Sequence, residues 1–180
     1  MGETFAILAT GESMSQAVAD SVRGKCRAIA VSNAYELAPW ADALVSNDAG
    51  WWRFHVNAIN FAGRKFCGVD YPDTEKVKFE GAVTMGSNSG LLAMHIAVNI
   101  FGAKRLLLCG FDMRGSHYFG PHPAPLKNTK PKRFDAFIEQ FMFFRPRGVE
   151  IVNCTPGSAI TAYKRGELEA CLAESETSTV

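Results

Sequence analysis

The strongest constraint on this chain is a set of short apolar runs. Phe5–Ala9, Ala28–Val31, Ala43–Val45 and Leu106–Cys109 are uninterrupted, and Val149 to Val152 is broken only by Glu150. None alternates apolar with polar, as a strand with one wet face would. Runs of this kind suit strands covered on both faces, the usual state of a parallel sheet. Helical periodicity falls between them. Met14, Ala17, Val18 and Val22 form one face, and Phe134, Phe137, Ile138, Phe141 and Phe144 another. Leu91 to Phe101 is apolar nearly all round, which marks a buried helix. Strands that alternate with helices predict an α/β fold: a three-layer, Rossmann-like, mostly parallel sheet with helices on both faces.

Turn chemistry fills in the rest. Ser13 with Gln16 three residues later reads as a capping box, and Gly102 as the stop after the buried helix. Lys65–Val69 reads as a central strand and Lys76–Phe79 as an edge strand. The aromatic stretch 47–64 is in part helical, and its Trp51, Trp52 and Phe54, with Tyr35 and Trp40, either stack a base or sugar or, as such residues more often do, pack a lid or an interface. Residues 110–128 form a long loop rich in Gly, Pro and His, a length usually reserved for function. A last helix is expected from Gly166 to Leu172. The expectation is one nucleotide-binding domain over 1–172 and a flexible tail over 173–180.

Composition narrows the function classes. Of 180 residues 47% are hydrophobic and 21% charged, which excludes a disordered chain. Lys and Arg number 19 against 18 Asp and Glu, so the net charge of +1 argues against nucleic acid or a polybasic membrane anchor as partner. No basic segment followed by an apolar one opens the chain, and no apolar run approaches a membrane span. The five cysteines, Cys26, Cys67, Cys109, Cys154 and Cys171, are dispersed and form no C-x-x-C pair. They read as small buried residues in a reducing compartment, and the expected location is cytoplasmic.

In open α/β sheets, ligands bind outside the carboxyl ends of the strands. Five such ends are polar here: Gly11-Glu12-Ser13, Ser32-Asn33, Asn47-Asp48, Gly110-Phe111-Asp112 and the stretch Asn153 to Ser158, which includes Thr155 and Gly157. Gly11 and Ser13 stand between a strand and a helix start, where N–H groups favour phosphate. Ser87, Asn88, Ser89 and Gly90 stand before the buried helix and form either a capped turn or an anion cradle. No G-x-G-x-x-G or P-loop motif is present. His117 and His122, on the Pro-flanked part of the long loop, suit general acid or base work near neutral pH. Asp48 and Asp112 either bind Mg²⁺ or a ribose hydroxyl or merely cap turns, and His95 reads as a packed core residue.

One stretch carries a family resemblance. Asn88-Ser89-Gly90, the apolar helix, Gly102-Ala103-Lys104, Leu106–Leu108 and Gly110-Phe111-Asp112 resemble the bacterial family 42 sialyltransferases. The similarity continues through Ser116–His122 and the Phe134 helix, and resumes at Cys154–Ser158. The same core is similar to the archaeal 6-hydroxymethylpterin diphosphokinase-like (MptE-like) superfamily. The whole chain also resembles a small protein of Mu-like prophages, of the kind labelled morphogenetic, for which the location would be the bacterial host cytoplasm. The first resemblance implies that Gly11, Ser13, Asn33, Ser89 and Gly90 line a site for CMP or another nucleotide. It implies that His122 is the base that deprotonates an acceptor hydroxyl. The family's long lid is cut here to the nine residues Met113 to Pro121, with Tyr118 its only tyrosine, so either the leaving phosphate is stabilised from elsewhere, for example by Arg114 or Lys127, or the transfer activity is absent. The implied function is a nucleotide-binding transferase of the glycosyl type, with a nucleotide or nucleotide-sugar as ligand and no obligatory metal. The second resemblance implies a Mg²⁺-dependent diphosphokinase. A non-catalytic phage morphogenesis or host-interaction protein on the same fold is the third reading. A homo-oligomer could form through the aromatic 47–64 segment.

Overall fold

The computed structural model describes residues 3–79 and 88–177. Eight strands form one sheet in the order β5-β4-β3-β2-β1-β6-β7-β8, and every neighbouring pair is parallel. They are β1 (Thr4–Leu8), β2 (Arg27–Val31), β3 (Ala43–Val45), β4 (Arg64–Cys67), β5 (Glu75–Lys76), β6 (Arg105–Cys109), β7 (Glu150–Asn153) and β8 (Lys164–Arg165). The five apolar runs of the sequence are β1, β2, β3, β6 and β7. The side chains of β1, β2, β3 and β6 are nearly all buried, as two covered faces demand.

Helices cover both faces. The side of Phe5, Ile7, Ile29, Val31, Leu106 and Leu108 packs under α3 (Ser89–Asn99) and α4 (Pro131–Phe143). The side of Ala6, Leu8, Ala28, Ala30, Leu107 and Cys109 packs under α1 (Gln16–Val22), α2 (Ala49–Phe54) and α5 (Leu168–Thr177). The architecture is therefore the three-layer α/β, Rossmann-like one. No helix among the described residues is long and apolar enough to cross a membrane.

The chain runs outward from β1 to β5, returns through α3, and then runs outward the other way from β6 to β8. The reversal falls between β1 and β6. Their parallel register, from Thr4 opposite Arg105 to Leu8 opposite Cys109, places the two following turns side by side.

Local details depart from the sequence reading where long-range partners decide them. The N-cap of α1 is Ser15, whose Oγ accepts from Val18 N at 3.3 Å, and not Ser13. Ser13 is drawn instead to Asp112. Gln16 reaches forward to Asp20 and to the Leu37 carbonyl, so no capping box closes. The expected strand Lys76–Phe79 shrinks to Glu75–Lys76, and β8 has no counterpart in the sequence reading because two residues carry no periodicity. The last helix continues past Leu172 to Thr177. The Arg105 guanidinium holds it, donating to the Cys171 carbonyl at 3.0 Å and to Glu174 at 2.6 Å. Trp51 and Trp52 are buried, as packing residues should be. All five cysteines are free, and burial pushes the Cys26 thiol up to about 11 and Cys109 to about 12.

Candidate functional site

The site begins at the two turns after β1 and β6. Gly110 adopts φ +74°, where a side chain is strained, and its amide neighbourhood is closed by Gly11 N donating to Gly110 O at 2.9 Å. Gly11 is required by proximity: a Cβ there would stand 2.0 Å from Asp112 Oδ2 and 2.6 Å from Gly110 O. Asp112 is buried and fully engaged. Ser13 N donates to both of its carboxylate oxygens at 3.3 and 3.4 Å, and Ser13 Oγ donates to Oδ2 at 2.8 Å. The Ser13 donors that the sequence reading assigns to a phosphate are thus directed at a carboxylate of the protein itself.

Other predicted residues also hold the scaffold. Thr155 Oγ1 accepts from Phe111 N at 2.9 Å and donates to Leu108 O at 3.1 Å. Ser158 Oγ donates to Phe111 O, and accepts from Asn153 Nδ2 at 3.1 Å. Gly157, at φ +60°, lies against the Arg114 guanidinium. Asn33 is buried, accepts from Trp51 Nε1 at 2.8 Å through its side chain, and accepts from the Tyr118 hydroxyl at 2.8 Å through its carbonyl. Glu12 accepts from Ser116 N at 2.9 Å and so fastens the long loop. Much of the polar character of the strand ends is therefore spent between the turns.

What stays open is a cavity of about 250 Å³ above the carboxyl ends of β1, β2 and β6. Its floor is Ala9–Gly11, Val31–Ser32 and Gly110–Phe111. Its walls are Asp48, Trp51, the α3 start at Asn88–Gly90, and the loop from Met113 to His117. His122, Lys127, Phe134 and Phe137 close it. Of the predicted residues, the structure brings together Gly11, Asp48, Asn88, Ser89, Gly90, His117 and His122 at this cavity. Glu12, Ser13, Asn33, Asp112, Thr155, Gly157 and Ser158 are not among its lining residues. Ser87 lies outside the described residues.

The α3 start is a structured cap. Asn88 Oδ1 accepts from Leu91 N at 3.0 Å, and Ser89 Oγ accepts from Asn47 N at 3.0 Å. Gly90 lets α3 approach Phe111, whose Cε1 would stand 2.8 Å from a Cβ. Phe111 in turn meets Phe141 of α4 edge-on, with centroids 5.8 Å apart.

The two histidines form a pair with ring centroids 4.6 Å apart. Thr10 Oγ1 lies 3.0 Å from His117 Nδ1, and the His117 ring stacks on Phe119 at 4.9 Å. Asn128 clips the other member from below, accepting from His122 N at 2.6 Å and donating to His122 O at 3.2 Å. His122 Nδ1 is buried with no hydrogen-bond partner among the described residues. The near-neutral titration expected from the sequence is not what this setting imposes. Burial pushes His122 down to about 4, helped by the positive charge that His117 would carry and only weakly opposed by Asp48. Burial lowers His117 as well. Both rings are neutral acceptors at neutral pH.

Charge of the opposite kind to a phosphate comes from Arg114 and Lys127, which line the cavity and make no ion pair among the described residues. Metal ligation fits less well. No group of three or more His, Cys, Asp or Glu side chains among the described residues could hold a metal ion. Asp112 is bonded to Ser13, and Asp48 Oδ1 accepts from Gly50 N at 2.7 Å as the cap of α2.

Sequence reasoning missed Thr10, Met113, Asn128, Phe134 and Phe137 as site residues. The last two were read as core by their helical period, and they pack there, but α4 begins over the cavity and its first two turns cover it. No family model, curated protein or solved structure matches the chain.

Proposed function

We propose that the chain is a nucleotide-binding transferase of the glycosyl type, as its resemblance to the family 42 sialyltransferases implies. The observation that carries this reading is the cavity at the β1–β6 reversal, where two cationic side chains and two neutral imidazoles converge. A crevice at that position is where open α/β sheets take their ligands. Arg114 and Lys127 supply the charge that a leaving phosphate needs, in place of the lid tyrosines of the family.

In the proposed step, an acceptor hydroxyl bonds to the sugar carbon while the bond to the nucleotide phosphate breaks. His122 takes the hydroxyl proton, and Arg114 and Lys127 hold the departing phosphate. A ring held neutral has a free lone pair at pH 7 but is a weak base alone; a bound anion beside it raises its basicity as charge develops. The diphosphokinase reading needs Mg²⁺, and the described carboxylates are committed to Ser13 and to the cap of α2, so no step is drawn through the metal.

The test is a thermal-shift series with CMP, CTP, ATP, GTP and UDP-sugars. Stabilisation by one of them, lost in Arg114→Ala and Lys127→Ala, supports the nucleotide site. No shift with any nucleotide at millimolar concentration sinks it and leaves a non-catalytic assembly or host-interaction role. His122→Ala then separates binding from chemistry. Nucleotide binding should persist and transfer should fall; undiminished transfer removes His122 as the base.

A further inference from the structure

The chain is nearly neutral as a whole, but its charge is segregated. Between Met113 and Phe134 it carries Arg114, Lys127, Lys130, Lys132 and Arg133 and no Asp or Glu. This stretch takes five of the 19 Lys and Arg residues and none of the 18 acidic ones, which leaves 14 cations against 18 carboxylates elsewhere. None of the five makes an ion pair among the described residues. Lys25, Arg27, Arg64, Lys76, Arg105 and Lys164 all do.

The placement of these cations is directional. Arg114 and Lys127 line the cavity. Lys130, the residue before α4, lies one helical turn ahead of Phe134, which closes the cavity. The Arg133 guanidinium sits 5.7 Å from the ring centroid of Phe137, another closing residue. Lys130, Lys132 and Arg133 are exposed. The first turn of α4 holds no acidic residue, so these cations stand at the positive end of the helix dipole with no carboxylate in that turn. Such an arrangement is unfavourable until an anion arrives.

We infer that this patch is the outer half of one binding track, and that the ligand is a short linear polyanion with one anionic group in the cavity and the following ones led outward over Lys127, Lys130 and Arg133. The inference rests on the proposed anion site in the cavity and adds a ligand class to it. A long polymer fits less well. The cations occupy one stretch at one mouth, and the acidic excess of the remaining chain repels a polyanion that runs on over the surface.

The experiment is calorimetric titration of the whole chain with orthophosphate, pyrophosphate and tripolyphosphate at low and moderate salt. Tripolyphosphate should bind at least about tenfold more tightly than orthophosphate, with the steeper salt dependence of a multiply paired anion. In the Lys130→Gln/Arg133→Gln double variant that ratio should fall to about threefold or less. Lys132→Gln, which removes one positive charge from the flank of α4 away from Phe134 and Phe137, should keep most of the ratio, and more of it than either Lys130→Gln or Arg133→Gln alone. Melting of each variant without ligand checks the fold. Equal affinities for the three anions would overturn the track while leaving the cavity site standing. The same holds for a ratio that survives the double variant or falls as far in Lys132→Gln. No binding of any anion would remove both. Tighter binding of a single-stranded oligonucleotide than of tripolyphosphate would overturn the short-ligand class in favour of nucleic acid.

Discussion

His122 should make the protein acid-sensitive well above the usual carboxylate range. Burial and the neighbouring imidazole push it from 6.5 down to about 4. The unfolded chain therefore takes up a proton near pH 6.5 that the folded chain refuses until about pH 4. Between those values the unfolded state binds more protons, so stability is full above the upper value and falls as the pH falls. At about 1.4 kcal/mol per pH unit the full shift would be worth about 3 kcal/mol. The ring is only half-buried, and solvent screening reduces that to about 1 kcal/mol. The assay is urea unfolding followed by the fluorescence of buried Trp51 and Trp52, from pH 7 down to about 4.5, in the wild type and in His122→Gln. The substitution keeps the backbone clip to Asn128. His55, His95 and His117, also lowered by burial, contribute in both proteins. The wild type should lose about 1 kcal/mol more than the variant over that range. Parallel losses would refute the reasoning, and so would a His122 ring proton that titrates near its ordinary value by NMR.

Two further substitutions test the scaffold under the site. Gly11→Ala drives a methyl group into Asp112 and the Gly110 carbonyl, and should cost about 3 kcal/mol through displacement of the Ser13–Asp112 bonds, read from chemical denaturation. An effect within experimental error would show that the two turns separate freely. Thr155→Val keeps the shape but leaves Phe111 N without its acceptor, while Leu108 O retains Cys154 N at 2.9 Å; a loss of about 2 kcal/mol is expected. A neutral result would mean that water replaces the hydroxyl.

The sheet was legible because its signal is local. A run such as Ala28–Val31 is apolar on both faces whatever its neighbours are, and the Phe134–Phe144 period survives any packing partner. The strand ends were legible as positions and less so as roles. Ser13 and Ser15 are equivalent caps to the eye, and only Asp112, about a hundred residues away, separates them. Asn33, Thr155 and Ser158 look like ligand groups in a turn, yet they satisfy Trp51, Phe111 and Asn153. The depressed basicity of His122 could not be read either, since it depends on burial by a loop with no periodicity. The cation stretch stands in the sequence but was not read from it. Net charge concealed it, because a sum over the whole chain is blind to where the charges sit.

The central place of β1 has a consequence for how this protein is made. Phe5 to Leu8 need β6 on one side, and β6 lies about a hundred residues later. As the chain leaves the ribosome, β1 to β5 can assemble as a half-sheet, with β1 as an open edge whose side chains are apolar on both faces. Such edges pair readily with other chains. β1, made about a hundred residues before β6, thus waits long for its second neighbour, and the rate at which residues 89–109 emerge sets how long that edge stays exposed.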